Sequence, residues 1–139
     1  MRYVTGSTAF IVTSSSNSFQ EHHHLDTTGE PMPQTCRQYW WNLQGRCTLN
    51  FNLDAINHDS VVLITASEYR PNPPDPAHSP RFVGAANIGV ENISPHSPPF
   101  DPNHGVTFVV DVDWGSPLHV VTDITVLDQP PVDIEVQSG

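Results

Sequence analysis

The sequence predicts an all-β chain, folded as an antiparallel β-sandwich of about six to seven short strands. Three observations carry that expectation. Apolar residues recur at every second position over Val106–Trp114 and again over Leu118–Leu127. Fourteen prolines punctuate the chain, and no stretch shows the 3.6-residue period of an amphipathic helix. Charged residues make up only 14%, so polarity comes mostly from Ser, Thr, Asn and Gln, which suit short strands and turns. The 139 residues fit one domain spanning 1–139 and are enough to bury a core.

Taken in order, Arg2 to Thr13 reads as a strand broken at Gly6, with Tyr3, Val4, Phe10, Ile11 and Val12 as β-formers. Residues 14–34 are rich in Ser, His, Thr, Gly and Pro and read as a long loop. Cys36 to Leu53 reads as a hairpin turning at Asn42-Leu43-Gln44-Gly45, with Cys47, Leu49, Phe51 and Leu53 on one half-buried face. A turn at Asn57-His58-Asp59 leads to a short apolar strand, Val61 to Ala66. Residues 70–80 hold five prolines and exclude a regular element. A strand is expected from Phe82 to Ile93, and a second Pro-rich loop over 95–105. Val106–Trp114 and Leu118–Leu127 form the strongest strand pair, and the tail from Gln129 reads as a frayed strand or an arm.

Charge narrows the partners. Fifteen acidic residues face five basic ones, for a net charge of −10, and every basic residue is an arginine. Nucleic acid binding requires clustered positive charge that releases counterions, so it is not expected. Insertion into a membrane is not expected either, because no window approaches the roughly 18 apolar residues of a span. No signal peptide is visible, which implies a cytoplasmic chain or export by a route without a Sec signal.

Several side chains are candidates for chemistry. His22-His23-His24 are adjacent on a loop, where neighbouring side chains diverge, so they read as solvated imidazoles rather than metal ligands. His119 and Asp123 share one face of a strand, which offers a carboxylate–imidazole pair as the basis of a small enzyme. Asp111, Asp113, Asp123, Asp128 and Asp133 gather near the C-terminal strands, where paired carboxylates at the right separation run glycoside hydrolysis. A solvated acidic face is the commoner reading. Cys36 and Cys47 flank the expected hairpin and fit either a disulfide or two buried thiols. Of the adjacent Trp40 and Trp41, one ring is expected in the core and the other in solvent; Trp40 is the candidate for stacking on a ligand. No motif for a cofactor, a phosphate loop or a catalytic metal is present.

The segment from Val61 onward resembles the H-type lectin domain. The features in order are the strand Val61-Val62-Leu63-Ile64 entering a variable loop, then Ile88-Gly89-Val90-Glu91-Asn92-Ile93-Ser94-Pro95, then Phe108-Val109-Val110-Asp111-Val112-Asp113-Trp114-Gly115 and a last strand ending near Leu127. Val4-Thr5-Gly6-Ser7 echoes the family's opening. About half the chain is covered, and order and spacing carry the likeness rather than any one motif. It implies a six-stranded sandwich assembled as a homo-oligomer (trimer or hexamer), with carbohydrate sites at protomer interfaces.

On that resemblance Trp114 matches the sugar-contacting tryptophan, although plain core packing beside Phe108 and Val110 competes with this role. Asp26 and Gly29 fall at a ligand-contacting loop. The family's strand arginine falls near Ala85, with Arg81 close by. Departures are Gly115, where a polar residue is often used, and Val120, where a tyrosine is expected, so N-acetylgalactosamine specificity is not implied. The expected function is therefore carbohydrate binding through Trp114, Asp26, Gly29, Arg81, His119 and Trp40. The competing readings are a structural or surface-decoration module and, third, the small Asp/His enzyme.

Overall fold

A computed structural model describes residues 2–3, 33–127 and 129–139, with the side chains of Arg2 and Tyr3 excepted. The expected features at Val4–Thr13, His22–His24, Asp26, Gly29 and Asp128 lie outside the described residues.

The described residues form an all-β sandwich of two sheets. Its strands are β1 (Arg2–Tyr3), β2 (Gln34–Leu43), β3 (Gly45–Asn52), β4 (Val61–Tyr69), β5 (Arg81–Phe82), β6 (Asn87–His96), β7 (Gly105–Asp113) and β8 (Leu118–Leu127). One sheet has the order β1-β3-β7-β6 and the other β2-β8-β4-β5. All pairings are antiparallel except β1 on β3. The strand expected over Phe82–Ile93 divides into β5 and β6, with Val83-Gly84-Ala85-Ala86 between them. β6 runs on through Pro95 to His96, past the expected loop start. The tail from Gln129 has no regular element.

Strand alternation builds the core. Cys47, Leu49 and Phe51 of β3 and Val106, Phe108, Val110 and Val112 of β7 face Cys36 and Trp40 of β2 and Val120, Ile124 and Val126 of β8. Each fully buried side chain of this size contributes roughly 1.5–3 kcal/mol through removal from water. The chain changes sheet at two of its tight junctions. β2 pairs with β8 while β3 pairs with β7, so the segment read as a hairpin crosses from one sheet to the other at Gln44. β7 and β8 are likewise in opposite sheets and cross at 114–117. The Gln44 side-chain amide donates to the Gly115 carbonyl at 3.0 Å and ties the two crossings together. Gly45 allows the first crossing with φ +66°.

The crossings also decide the cysteines. Cys36 and Cys47 face the core from opposite sheets as free, buried thiols, not as a disulfide. Burial pushes the Cys36 thiol up to about 12.

Candidate functional site

The outer face of the β2-β8-β4-β5 sheet carries the site. Tyr39 on β2 is the register partner of Val121 of β8, Tyr69 lies on β4 two residues past Val121's other partner, Ser67, and the two tyrosine rings meet edge to face at 4.7 Å between centroids. Val121 is fully buried although it faces outward. At the end of β2 the ladder slips: Trp40 pairs with Val120, but Leu43 pairs with Leu118. Two residues, Trp41 and Asn42, thus oppose the single His119, and Asn42 takes φ +54°. Trp41 points outward by the alternation of β2 and remains 57% exposed, and the bulge returns Leu43 to the core. The Trp41 ring lies 4.4 Å from His119 and 6.5 Å from Tyr69, both edge to face. The Asn42 backbone N–H donates to His119 Nδ1 at 3.3 Å, which places the neutral ring's proton on Nε2.

The Pro-rich loop over 70–80 supplies the opposite wall. Its conformation is held by its own hydrogen bonds: Asn72 N–H donates to Ser79 Oγ, Ser79 Oγ–H to the Pro76 carbonyl, and Arg70 N–H to the Pro80 carbonyl. The Tyr39 hydroxyl donates towards the Ala77 and Ser79 carbonyls, at 3.1 and 3.4 Å. Tyr69 donates to the Trp40 carbonyl, and burial, with Tyr39 alongside, pushes its phenol up to about 12. Between strands and loop lies a cavity of about 370 Å³ lined by Tyr39, Trp41, Tyr69, Pro71, Asn72, Pro73, Pro76, Ala77 and Ser79. Its size falls in the range of small-ligand sites.

Next to Tyr39 on the same face stand three charges. Arg37 clasps Asp123 with Nε and Nη2, at 2.7 and 3.1 Å. Arg81 reaches the same carboxylate with Nη2 at 2.7 Å. The bond from Arg37, and then that from Arg81, hold the Asp123 carboxyl below its usual range, and Asp123 in turn raises the Arg37 guanidinium.

Several expected site residues are placed elsewhere. Trp40, the candidate for stacking, is 1% exposed in the core, and its indole N–H donates to Thr122 Oγ1. The phase of β2 sends Cys36, Gln38 and Trp40 inward, so the neighbouring Trp41 is the accessible ring. His119 and Asp123 do not pair. Four residues along a strand separate them by about 13 Å, and each has other partners. The acidic cluster is split as well, since Asp111 lies on the outer face of the other sheet, across from Arg46, and Asp123 lies on this one. Trp114 is not core: it follows β7 with 46% of its surface exposed, and it lines none of this cavity. Among the expected residues, His119 and Arg81 do come to this face. Trp41 is the exposed one of the two adjacent rings, as one of them was expected to be; Tyr69 and the loop wall were not anticipated, because β8 alone brings β2 and β4 together.

No known family model, curated protein or solved structure matches this chain.

Proposed function

We propose that this chain is a carbohydrate-binding module of the H-type lectin kind, with its sugar site in the aromatic cavity of the β2-β8-β4-β5 sheet. The observation that carries the reading is Trp41, a large exposed ring held at a bulge beside a cavity walled by Tyr39 and Tyr69. A pyranose presents an apolar face to such a ring and hydroxyls at its edge. Asn72, His119 and the Arg37/Asp123/Arg81 group are the polar partners around it. The H-type resemblance supports the reading through the order of β4, β6, β7 and β8. Trp114, exposed at the end of β7, keeps a place as a second contact at a protomer interface.

The test is a titration of intrinsic tryptophan fluorescence with glycans selected on an array. A sugar-binding site at the cavity gives a saturable change that Trp41→Ala abolishes and Trp114→Ala leaves in place. Loss of binding in Trp114→Ala alone moves the site to the end of β7. An array without hits overturns the carbohydrate reading.

A second reading, assembly of copies of the chain, has its own observation. Val132, Ile134 and Val136 are 97, 79 and 95% exposed and alternate with Asp133 and Glu135. A segment with that pattern hides its apolar face by adding to a sheet edge. The edge of β2 away from β8 has no partner strand among the described residues. The docked segment would come from a second copy, in keeping with the expected trimer or hexamer. Sedimentation analysis of the full chain should give an oligomer, and deletion of residues 130–139 should give a monomer. A monomeric full chain, or an oligomer indifferent to the deletion, overturns it.

A further inference from the structure

Resting on the carbohydrate reading, we infer that the cavity takes an acidic glycan, with the ligand's anionic group bound by Arg81 and Arg37 at the edge of the Tyr39/Trp41 aromatic surface. The chain as a whole carries a net charge of −10, yet two of its five basic residues meet on this one face. They share a single carboxylate, Asp123, so the group holds one more positive charge than negative. Arg46, by contrast, is matched one to one by Glu91 on the other sheet.

Position makes the excess charge part of the site. Arg37 lies two residues before Tyr39 on the same face of β2, so the two side chains are neighbours along the strand, and Tyr39 lines the cavity. Arg81 follows the cavity residue Ser79 by two positions and is the register partner of Tyr69. Both guanidiniums therefore border the aromatic wall.

Chemistry then selects the ligand. A guanidinium carries five N–H donors, and Asp123 occupies only a minority of the donors on this pair. Planar donor pairs match a carboxylate or a sulfate, both of which acidic sugars carry. Asp123 sits at the centre, orients both guanidiniums and leaves the charge for one ligand anion. A neutral sugar would use the rings but leave those donors to water. The remaining negative charge of the protein repels anions at long range, so affinity for an acidic glycan has to arise from close contacts at this group.

The experiment uses the intact chain on an array that prints neutral, uronic-acid, sialylated and sulfated glycans at equal density. Trigalacturonate and its methyl ester, which has the same rings without the charge, are then compared with the array hits by calorimetry. Hits should concentrate among the acidic glycans, and esterification should weaken a carboxylated ligand about tenfold. Arg81→Gln should remove that preference while the circular dichroism spectrum is unchanged, and Arg81→Lys should restore part of it. Uronic-acid and sialylated hits indicate a carboxylate ligand, and sulfated hits a sulfate. Hits confined to neutral glycans, or an acid preference that survives Arg81→Gln, overturn the acidic-ligand inference and leave the carbohydrate reading standing. An array with no hits removes both.

Discussion

Trp41 and His119 stand edge to face with their ring centroids 4.4 Å apart, at the one place where two residues of β2 oppose one of β8. The extra residue changes what the strand presents. Without it, the alternation Cys36, Gln38, Trp40 would send Asn42 inward and Leu43 out. With it, Leu43 returns to the core and Trp41 stays beside the cavity.

The two adjacent tryptophans should therefore behave in opposite ways. Trp40→Ala empties a fully buried position and leaves the Thr122 hydroxyl with only the Gln38 carbonyl as partner, at a cost of about 3–5 kcal/mol. Trp41→Ala loses edge contacts with His119 and Tyr69, about 0.5–1.5 kcal/mol each at most. Denaturant unfolding of both variants checks this. Equal losses would contradict the assignment of Trp40 to the core.

Both cysteines should resist modification in the folded protein. Each is buried, and the Cys36 thiol lies at about 12, so almost none of it is thiolate at pH 8. A disulfide-exchange reagent should label neither thiol under native conditions and both after denaturation. Rapid labelling of the native protein would show that the core opens or that the two sheets are packed differently.

Acid should weaken the outer face through Asp123. Its folded pKa lies below the ordinary value of 3.8, so its contribution to stability is complete above that value. The contribution is lost as the pH falls through the lower, folded pKa. Thermal unfolding followed from pH 6 to pH 2 should decline more steeply in the native chain than in Asp123→Asn. Parallel curves would mean that the two arginines do not hold this carboxylate in the folded state.

Two glycines separate close packing from open surface. A Cβ on Gly105 would lie 2.5 Å from the Phe51 carbonyl oxygen, whereas one on Gly89 meets nothing within 4 Å. Gly105→Ala should cost about 1–3 kcal/mol or more by forcing β3 and β7 apart. Gly89→Ala should be nearly neutral, and chemical denaturation distinguishes them.

The sandwich itself was legible in the sequence because alternation fixes which side of a strand is buried. Val106, Phe108, Val110 and Val112 read as one buried face, and they are. Alternation does not say which strand is the neighbour. The segments around Gln44 and Gly115 look like hairpin turns, yet both carry the chain to the other sheet. That difference depends on β8 lying between β2 and β4, a long-range pairing with no local signal. It also explains why the cavity was missed: Tyr39 and Tyr69 are thirty residues apart and meet only because β8 brings β2 and β4 into one sheet. Gln38 breaks the apolar alternation of β2, which hid the inward phase of Trp40. The Pro-rich loop was visible as an irregular segment, but its role as a wall depends on hydrogen bonds from Tyr39.

The most direct test of the site is an amide and indole chemical-shift map of the isotope-labelled chain, recorded with the strongest glycan from the array. The cavity reading predicts shifts at the Trp41 indole, at Tyr39 and Tyr69, and along Asn72 to Ser79, with the core Trp40 indole little changed. Shifts confined to Trp114 and the end of β7, or none under saturating glycan, would contradict it.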